Sequence, residues 1–348
     1  MGQAYHDARR HKRKTQGQRQ FEVCQETEIA NLVHAVVAHQ YTIGPEVCFT
    51  IAQPVKREIF AANFRDRVVH HWIFNRINSA IEAGFIHDTY SCRKGKGTLF
   101  GIHRAQGFLR AASDDFRRDC WVLRLDIQGF FMAIDRSVLW DLLMNQLQNH
   151  QEVFADGLLE PVLRTVVFHD PTRDCVVRGK PRDWVGLPPD KSLFHSSLNC
   201  GLPIGNLTSQ LFANVYLNPL DHFIKRKLKM RWYGRYVDDM LLVHPDKQVL
   251  LNAIGPIRNF LRKRLHLTLH PRKIELQPAV HGFPFLGAYI LPYRTYPGRR
   301  VIANFRDCLR HPLPDQCKQA QRVQSYLGLL GHCDAWRGFR SATGALLF

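Results

Sequence analysis

The segment RWYGRYVDDMLLVH, residues 231–244, holds two adjacent aspartates, Asp238 and Asp239, between two apolar runs. This arrangement predicts a β-hairpin with an acidic turn, because Asp tolerates the backbone geometry of tight turns. A buried strand is predicted at the start of WVLRLDIQGFF (121–131), and it ends at Asp126. Roughly 110 residues separate the two acidic signals, so only tertiary folding can bring them together.

Carboxylates that converge in this way are typical of phosphoryl transfer with two metal ions, which lie about 3.5–4 Å apart. Mg²⁺ suits such a site because it prefers carboxylate and phosphate oxygens. Each signal alone has a simpler interpretation, a solvated Asp-Asp turn in one case and a helix cap at Asp126 in the other. The flanking apolar strands and the basic composition favour the metal site, whereas Asp135 is interpreted as a cap for the helix that follows it.

The composition indicates a folded protein with a polyanionic partner. The 348 residues are 45% apolar, and 48 basic residues against 30 acidic ones leave a net charge of +18. Nucleic acid is the first candidate partner, and no apolar run or lipidation signal supports a membrane. Nine cysteines without a C-x-x-C pair indicate reduced thiols, so we expect a cytoplasmic protein.

Hydrophobic periodicity predicts a mixed architecture. Helices are predicted at 24–39, 55–83, 98–113, 136–148, 206–229, 247–264 and 319–336. Strands are predicted at 121–125, in the hairpin at 231–244, at 265–270 and at 283–291, with a long connection at 165–203. This grouping predicts an α+β fold with a largely antiparallel sheet flanked by helices.

Four segments in this order resemble the conserved motifs of reverse transcriptases. They are LDIQGFF (125–131), GLPIGNLTSQLFANVYLNPLD (201–221), YVDD (236–239) and FLG (285–287). The resemblance implies a right-hand polymerase with fingers, palm and thumb. The expected parts are a flexible basic arm at 1–20, fingers at 21–120 with a basic Gly-rich loop at 91–98, a palm at 121–295 with part of the fingers at about 150–200, and a thumb at 296–348.

Three further segments are similar to the reverse transcriptases of diversity-generating retroelements. They are VKREIFAANFRDRVVHH (55–71), KSLF (191–194) and GNLTSQ (205–210). These enzymes copy a template RNA into cDNA with errors at template adenines, and the cDNA replaces part of a target gene. The resemblance therefore implies an error-prone enzyme, encoded by a bacterium or a phage.

The resemblance also assigns roles to individual residues. The set implied to bind two Mg²⁺ ions is Asp126, Ile127, Asp238 and Asp239. The residues implied to contact the nucleotide or the template are Arg93, Lys94, Lys96, Phe131, Ile204, Gly205, Gln210 and Tyr236. Lys273 either protonates the pyrophosphate leaving group or contacts a phosphate.

Phe131 and Ile204 are the residues from which we predict the choice of nucleotide. Phe131 would be a steric gate that leaves no room for a ribose 2′-hydroxyl, although an ordinary core position stays open because Phe130 is adjacent. Many reverse transcriptases have Gln where this chain has Ile204, and Ile cannot make the hydrogen bond of that Gln. Losing one such bond weakens discrimination by about 1 kcal/mol, so Ile204 predicts low fidelity.

The expected partners are template RNA, an RNA–DNA hybrid, deoxynucleotides and the small basic helical accessory protein of the retroelement family. No nuclease module is expected after the thumb. Two alternatives stay open: a retron, group II-like or phage-defence reverse transcriptase, and an inactive polymerase-shaped scaffold that binds RNA.

Overall fold

A computed structural model describes residues 1–10, 15–52 and 55–334. The chain divides into two compact units, each assembled from separate segments. Among the described residues, unit 1 comprises Met1–His87, Ile127–Lys227 and Pro256–His270, and unit 2 comprises Asp88–Asp126, Leu228–Gly255 and residues 271–334. The boundaries expected for fingers, palm and thumb remain a prediction.

The chain forms helices and strands that occur in short consecutive groups. The helices are α1 (Gly2–Arg9), α2 (Gln16–Val23), α3 (Gln25–Val37), α4 (Phe64–Ala83), α5 (Thr98–Ala112), α6 (Phe130–Ala133), α7 (Arg136–Leu147), α8 (Leu159–Phe168), α9 (Leu207–His222), α10 (Lys247–Arg264), α11 (Arg299–Arg310) and α12 (Gln316–Leu330). The strands are β1 (Val47–Ile51), β2 (Arg57–Ala61), β3 (Trp121–Ile127), β4 (Val176–Val177), β5 (Trp232–Tyr236), β6 (Asp239–His244), β7 (Leu269–Pro278), β8 (Phe283–Phe285), β9 (Ala288–Leu291) and β10 (Arg294–Pro297).

A four-stranded sheet in the order β5-β6-β3-β7 carries the two acidic segments. Strand β6 pairs antiparallel with both β5 and β3. Apolar side chains of these strands, including Val122, Leu241 and Val243, join a buried cluster with Ile102 and Phe108 of α5. The α+β class with an antiparallel sheet and flanking helices is thus confirmed.

Unit 1 is organised around α4 and α9. Helix α4 begins after Asn63, whose side chain accepts a hydrogen bond from the Asp66 amide at 2.9 Å, and it buries Ile73, Ile77 and Ile81. Helix α4 packs against α1, α7 and α9. A separate sheet in the order β2-β1-β4 completes this unit.

Two segments at the amino-terminal end differ from the sequence-based expectation. Residues 57–61 form β2 and not the first turns of a helix, because Glu58, Ile59 and Phe60 pair with β1. The expected flexible arm contains α1, and Tyr5 in that helix is only 2% exposed because it packs near Phe64 of α4. The basic stretch at 11–14 lies outside the described residues.

Three later segments also differ from their predicted form. The strand expected at 265–270 begins only at residue 269. The strand expected at 283–291 is divided into β8 and β9 by a turn at Leu286 and Gly287, both of which have positive φ. Helix α9 continues through Pro219 and is followed by a π-helical turn at Phe223–Lys227. No helix within the described part of the chain is both long enough and apolar enough to cross a membrane.

Candidate active site

The acidic hairpin forms as the sequence predicts, with Val237 and Asp238 as its two turn residues. Tyr236 pairs with Asp239 across the hairpin, and both aspartates are half-buried. Val237 has φ of +54°, which is unusual for a β-branched residue. The guanidinium of Arg235 donates a hydrogen bond to the Val237 carbonyl at 2.8 Å and so stabilises this strained turn.

Asp126 lies beside the hairpin. Leu125 of β3 is opposite Met240 of β6, so the next position along the antiparallel ladder puts Asp126 beside Asp239. The pKa of Asp238 is raised to about 7, first by burial and then by the negative charges of Asp239 and Asp126. The structure therefore brings together three carboxylates that are far apart in the sequence.

Lys273 supplies a positive charge at the same place. It lies on β7, the strand next to β3, and its Nζ is 2.8 Å from Oδ2 of Asp126. Its charge also opposes the increase in the pKa of Asp238. The lysine is half-exposed, so this ion pair can be displaced by a stronger cation.

The donor set fits Mg²⁺ held jointly by protein and substrate. Among the residues that the structure describes, no group of three or more His, Cys, Asp or Glu is placed so that its side chains alone could hold a metal ion. Mg²⁺ is commonly bound by one or two carboxylates together with substrate phosphates, so a complete cage is not required. After burial, the repulsion by Asp239 and Asp126 also raises the pKa of Asp238, and a bound cation would relieve that repulsion. Ile127 is buried, and its apolar side chain has no ligand atom.

The basic loop at 91–98 belongs to the same unit as the carboxylates and is anchored to the acidic hairpin. The Tyr90 amide donates to the Arg235 carbonyl at 2.9 Å, one residue before the loop begins. Within the loop, Arg93 donates to the Thr89 carbonyl, Lys96 lies over the Phe100 ring, and Lys94 is exposed.

Two glycines determine the backbone conformation of this loop. Gly95 and Gly97 have φ of +73° and +136°, values that residues with a side chain rarely adopt. A chain that turns in this way can present backbone amides to a phosphate. The structure thus supports a loop suited to an anionic ligand.

Phe131 and Ile204 lie together in unit 1. Both are partly buried against a cluster of Cys48, Phe60, Met132 and Leu193. Phe130 is 2% exposed and serves the core, whereas Phe131 keeps a partly exposed ring. The arrangement therefore favours Phe131, and not Phe130, as the ring available to a ligand.

The segment after Ile204 is held by its backbone. The Ile204 carbonyl accepts a hydrogen bond from the Phe60 amide at 2.9 Å. Gly205 has φ of +136°, and a Cβ there would lie 2.4 Å from the Phe60 carbonyl oxygen, so only glycine fits. Gln210, in the first turn of α9, is exposed.

Two buried glutamates that local sequence patterns do not predict as functional hold these segments in place. Glu58 accepts hydrogen bonds from Trp184 Nε1, Ser192 Oγ and the Leu193 amide at 2.7–3.0 Å, which explains the KSLF motif as an anchor. Glu46 accepts from Asn206 Nδ2 at 2.9 Å. Glu58 lies within β2 and Glu46 directly precedes β1, so an acidic residue next to apolar ones is the only sequence signal for either glutamate.

Glu46 gives a pH-dependent prediction. Burial raises its pKa to about 7, above the value of about 4.3 for an unfolded chain, so the folded protein binds the extra proton. Its contribution to stability is then lost as the pH rises from about 4 through 7. We expect Glu46→Gln, which keeps an acceptor for Asn206, to stabilise the protein by about 2 kcal/mol at pH 8 and little at pH 4.

Thermal melting at several pH values checks this prediction. Glu160→Gln, which changes an exposed glutamate, is the control and should leave the melting temperature unchanged. Equal stabilisation by Glu46→Gln at pH 4 and pH 8 would contradict the assigned titration.

Solved structures of two telomerases share this fold. One is telomerase from Candida albicans in complex with a TWJ fragment of telomeric RNA, at 10% identity and a TM-score of 0.51, over 95% of this chain and 60% of that one. The other is telomerase from Candida tropicalis in complex with a TWJ fragment, at 11% identity and a TM-score of 0.53, over 88% of this chain and 55% of that one. At these identities the likeness concerns the fold alone, and the chain spans little more than half of each telomerase chain.

The family follows from the sequence itself. The profile described as "Reverse transcriptase (RNA-dependent DNA polymerase)" matches residues 55–290, more than half of the chain. The protein therefore belongs to the reverse transcriptase family. No curated protein sequence matches the chain.

Proposed function

We propose that the protein is an RNA-directed DNA polymerase that extends a DNA strand on an RNA template with Mg²⁺ as the cofactor. The observation that carries this proposal is the convergence of Asp126 with Asp238 and Asp239, which follows from the register of β3 and β5 on β6. Family membership supports the reaction class. The net charge of +18 supports a nucleic-acid partner, as does the presence of RNA in the two telomerase structures.

Asp126, Asp238 and Asp239 would hold the two metal ions. When bound, the ions activate the attacking 3′-hydroxyl and neutralise charge on the nucleotide phosphates. Lys273 is 2.8 Å from Asp126 and could transfer a proton to the pyrophosphate leaving group or bind one of its oxygens. Lys94 is exposed and available to the triphosphate.

Phe131 would select deoxynucleotides. Its partly exposed ring has no hydrogen-bonding group. It therefore cannot replace the hydrogen bonds to water that a ribose 2′-hydroxyl would lose on binding. Ile204 packs against the same apolar cluster and would contact the template or the incoming base. These two residues would set sugar choice and base choice, respectively.

Primer extension tests the proposal. The purified protein is supplied with a primed RNA template and Mg²⁺, and either deoxynucleotides or ribonucleotides are added. We expect extension with deoxynucleotides only. If no extension occurs even with the native RNA and the accessory protein of the retroelement class, the inactive RNA-binding scaffold is favoured.

We further propose the subtype: a reverse transcriptase of a diversity-generating retroelement, error-prone at template adenines. The supporting observations are the KSLF and GNLTSQ segments and the apolar residue at 204. A retron, group II-like or phage-defence enzyme is the alternative within the same chemistry. An imperfect repeat of a target-gene end near the gene, differing at adenines, would discriminate in favour of the retroelement.

Fidelity gives a prediction for this subtype. Ile204→Gln introduces a hydrogen-bonding group next to the template or nucleotide, and one such bond is worth about 1 kcal/mol. We expect the error rate at template adenines to fall about five-fold, measured by sequencing cDNA. Ile204→Val, which stays apolar, is the matched control and should leave the error rate unchanged. Identical error spectra for the Gln variant and the wild type would count against a role for Ile204.

A further inference from the structure

A cavity in unit 2 is not used by the proposed reaction. It has a volume of about 280 Å³ and lies between α5 and the β9–β10 turn. Its lining includes His103, Gln106, Arg110, Phe116, Leu291 and Tyr293. Ligand pockets begin at about 300 Å³, so this cavity suits one small ring system and not a duplex.

The cavity lies far from the carboxylates. Phe116 precedes the first residue of β3, Trp121, whereas Asp126 is near the last residue of that strand. Five residues of extended strand span about 17 Å, so the cavity is at the opposite end of β3. Its ligand is therefore not the nucleotide in the candidate active site.

Backbone strain keeps an aromatic ring at the rim. Pro292 and Tyr293 form the two-residue turn between β9 and β10, and Tyr293 has φ of +67°. A turn with Pro first and a positive φ second is type II, and its second position favours glycine. Tyrosine at this position is strained, and strained residues cluster at functional sites.

A second strained segment carries the other ring. Asp114, Asp115 and Phe116 have φ of +52°, +56° and +64°. Hydrogen bonds hold them there: the Phe116 amide donates to Ser113 Oγ at 2.8 Å, and the Asp115 amide donates to the Arg110 carbonyl at 2.9 Å. Two separate segments thus adopt unfavourable backbone conformations to bring two rings together.

The resulting surface is aromatic and flanked by positive charge. The ring centroids of Phe116 and Tyr293 are 4.2 Å apart, and Tyr293 is 70% exposed. Arg110 pairs with Asp115 at 3.3 Å, but both side chains are about two-thirds exposed, so the guanidinium can exchange this partner for a phosphate. His103 and Gln106 supply polar groups within the cavity.

We propose that this cavity binds one unstacked base of a single-stranded nucleic acid, with the base on Tyr293 and an adjacent phosphate on Arg110. Stacking of a base on an exposed aromatic ring tolerates any sequence and needs only a neighbouring cation for the backbone. The net charge of +18 favours nucleic acid over the aromatic side chain of a protein partner. This inference does not rest on polymerase activity, because it concerns binding at another place on unit 2.

Cross-linking and affinity test the proposal in the full chain. The probe is a ten-nucleotide oligouridine RNA with one 4-thiouridine, used with excess blunt RNA–DNA duplex, which offers no unstacked base. We expect a cross-link to the peptide that contains Tyr293. We also expect Tyr293→Gly to weaken binding of the probe about 5- to 100-fold, as measured by fluorescence anisotropy.

The controls separate binding from folding. Glycine fits the strained turn, so Tyr293→Gly should melt no lower than the wild type, and Tyr293→Trp should retain binding. Tyr289→Leu removes a partly exposed ring from the same hairpin outside the cavity lining and should leave affinity unchanged. A DNA oligonucleotide of matched sequence distinguishes single-stranded RNA from single-stranded DNA as the ligand. Equal affinity for the two indicates stacking alone, whereas a higher affinity for RNA indicates an additional contact to the 2′-hydroxyl.

Two results would overturn the proposal. One is an unchanged affinity of Tyr293→Gly together with cross-links outside residues 103–116 and 291–293. The other is binding of a tryptophan-containing peptide that depends on Tyr293 while the oligonucleotide does not bind. The second result would assign the cavity to a protein partner.

Discussion

Replacing Asp239 with Asn should reduce RNA-templated primer extension about 1,000-fold and leave the fold intact. The substitution keeps the size of the side chain but removes one of three carboxylates that converge at the acidic hairpin. Charge stabilisation by a bound ion is worth several kcal/mol, and about 4 kcal/mol corresponds to this loss in rate. Single-turnover extension at saturating deoxynucleotide is the measurement.

Asp135→Asn is the matched control for this loss. Asp135 accepts hydrogen bonds from the Ser137 and Val138 amides at 2.9 and 3.2 Å, so it is the helix cap that the sequence predicts. We expect the control to retain extension and to lose at most about 1 kcal/mol of stability. Equal activity of Asp239→Asn and the wild type would contradict the role given to the acidic hairpin.

Replacing Arg235 with Met should destabilise the protein by about 3 kcal/mol. Arg235 is fully buried on β5 and donates a hydrogen bond to the carbonyl of Val237 in the strained turn. Its loss leaves that carbonyl without its donor and disrupts a buried polar arrangement, both of which are among the more severe effects of single substitutions. Chemical denaturation gives the free energy of unfolding.

Arg231→Met tests whether the position, and not the loss of any arginine, causes the effect. Arg231 is exposed, just before the same strand, so its replacement should change the free energy of unfolding by less than about 0.5 kcal/mol. A similar small change for Arg235→Met would show that the turn does not depend on the buried guanidinium.

Local patterns predicted the part of the fold that carries the chemistry. The hairpin around Asp238 follows from apolar runs that flank a turn-forming pair, and β3 follows from an apolar run that ends near Asp126. Helix α7 follows from its periodicity and from the Asp135 cap. In each of these cases the sequence signal lies within a few neighbouring residues.

The remaining features depend on contacts between distant residues. Residues 57–61 consist of residue types that are compatible with a helix, yet they form a strand because they pair with β1. The amino-terminal segment looks like a basic arm, but Tyr5 is buried once α4 is in place. Glu46 gains its role only when Asn206, 160 positions away, comes within 2.9 Å. Local periodicity contains no information about such partners.

Iron-mediated cleavage tests directly whether Asp126, Asp238 and Asp239 share one metal site. Fe²⁺ replaces Mg²⁺, and ascorbate with peroxide then generates radicals that cut the backbone next to the bound ion. We expect cuts near Asp126 and near Asp238 and Asp239, suppressed by excess Mg²⁺ and lost in Asp239→Asn. Cuts confined to one of these two segments, or cuts that Mg²⁺ does not suppress, would contradict a shared metal site.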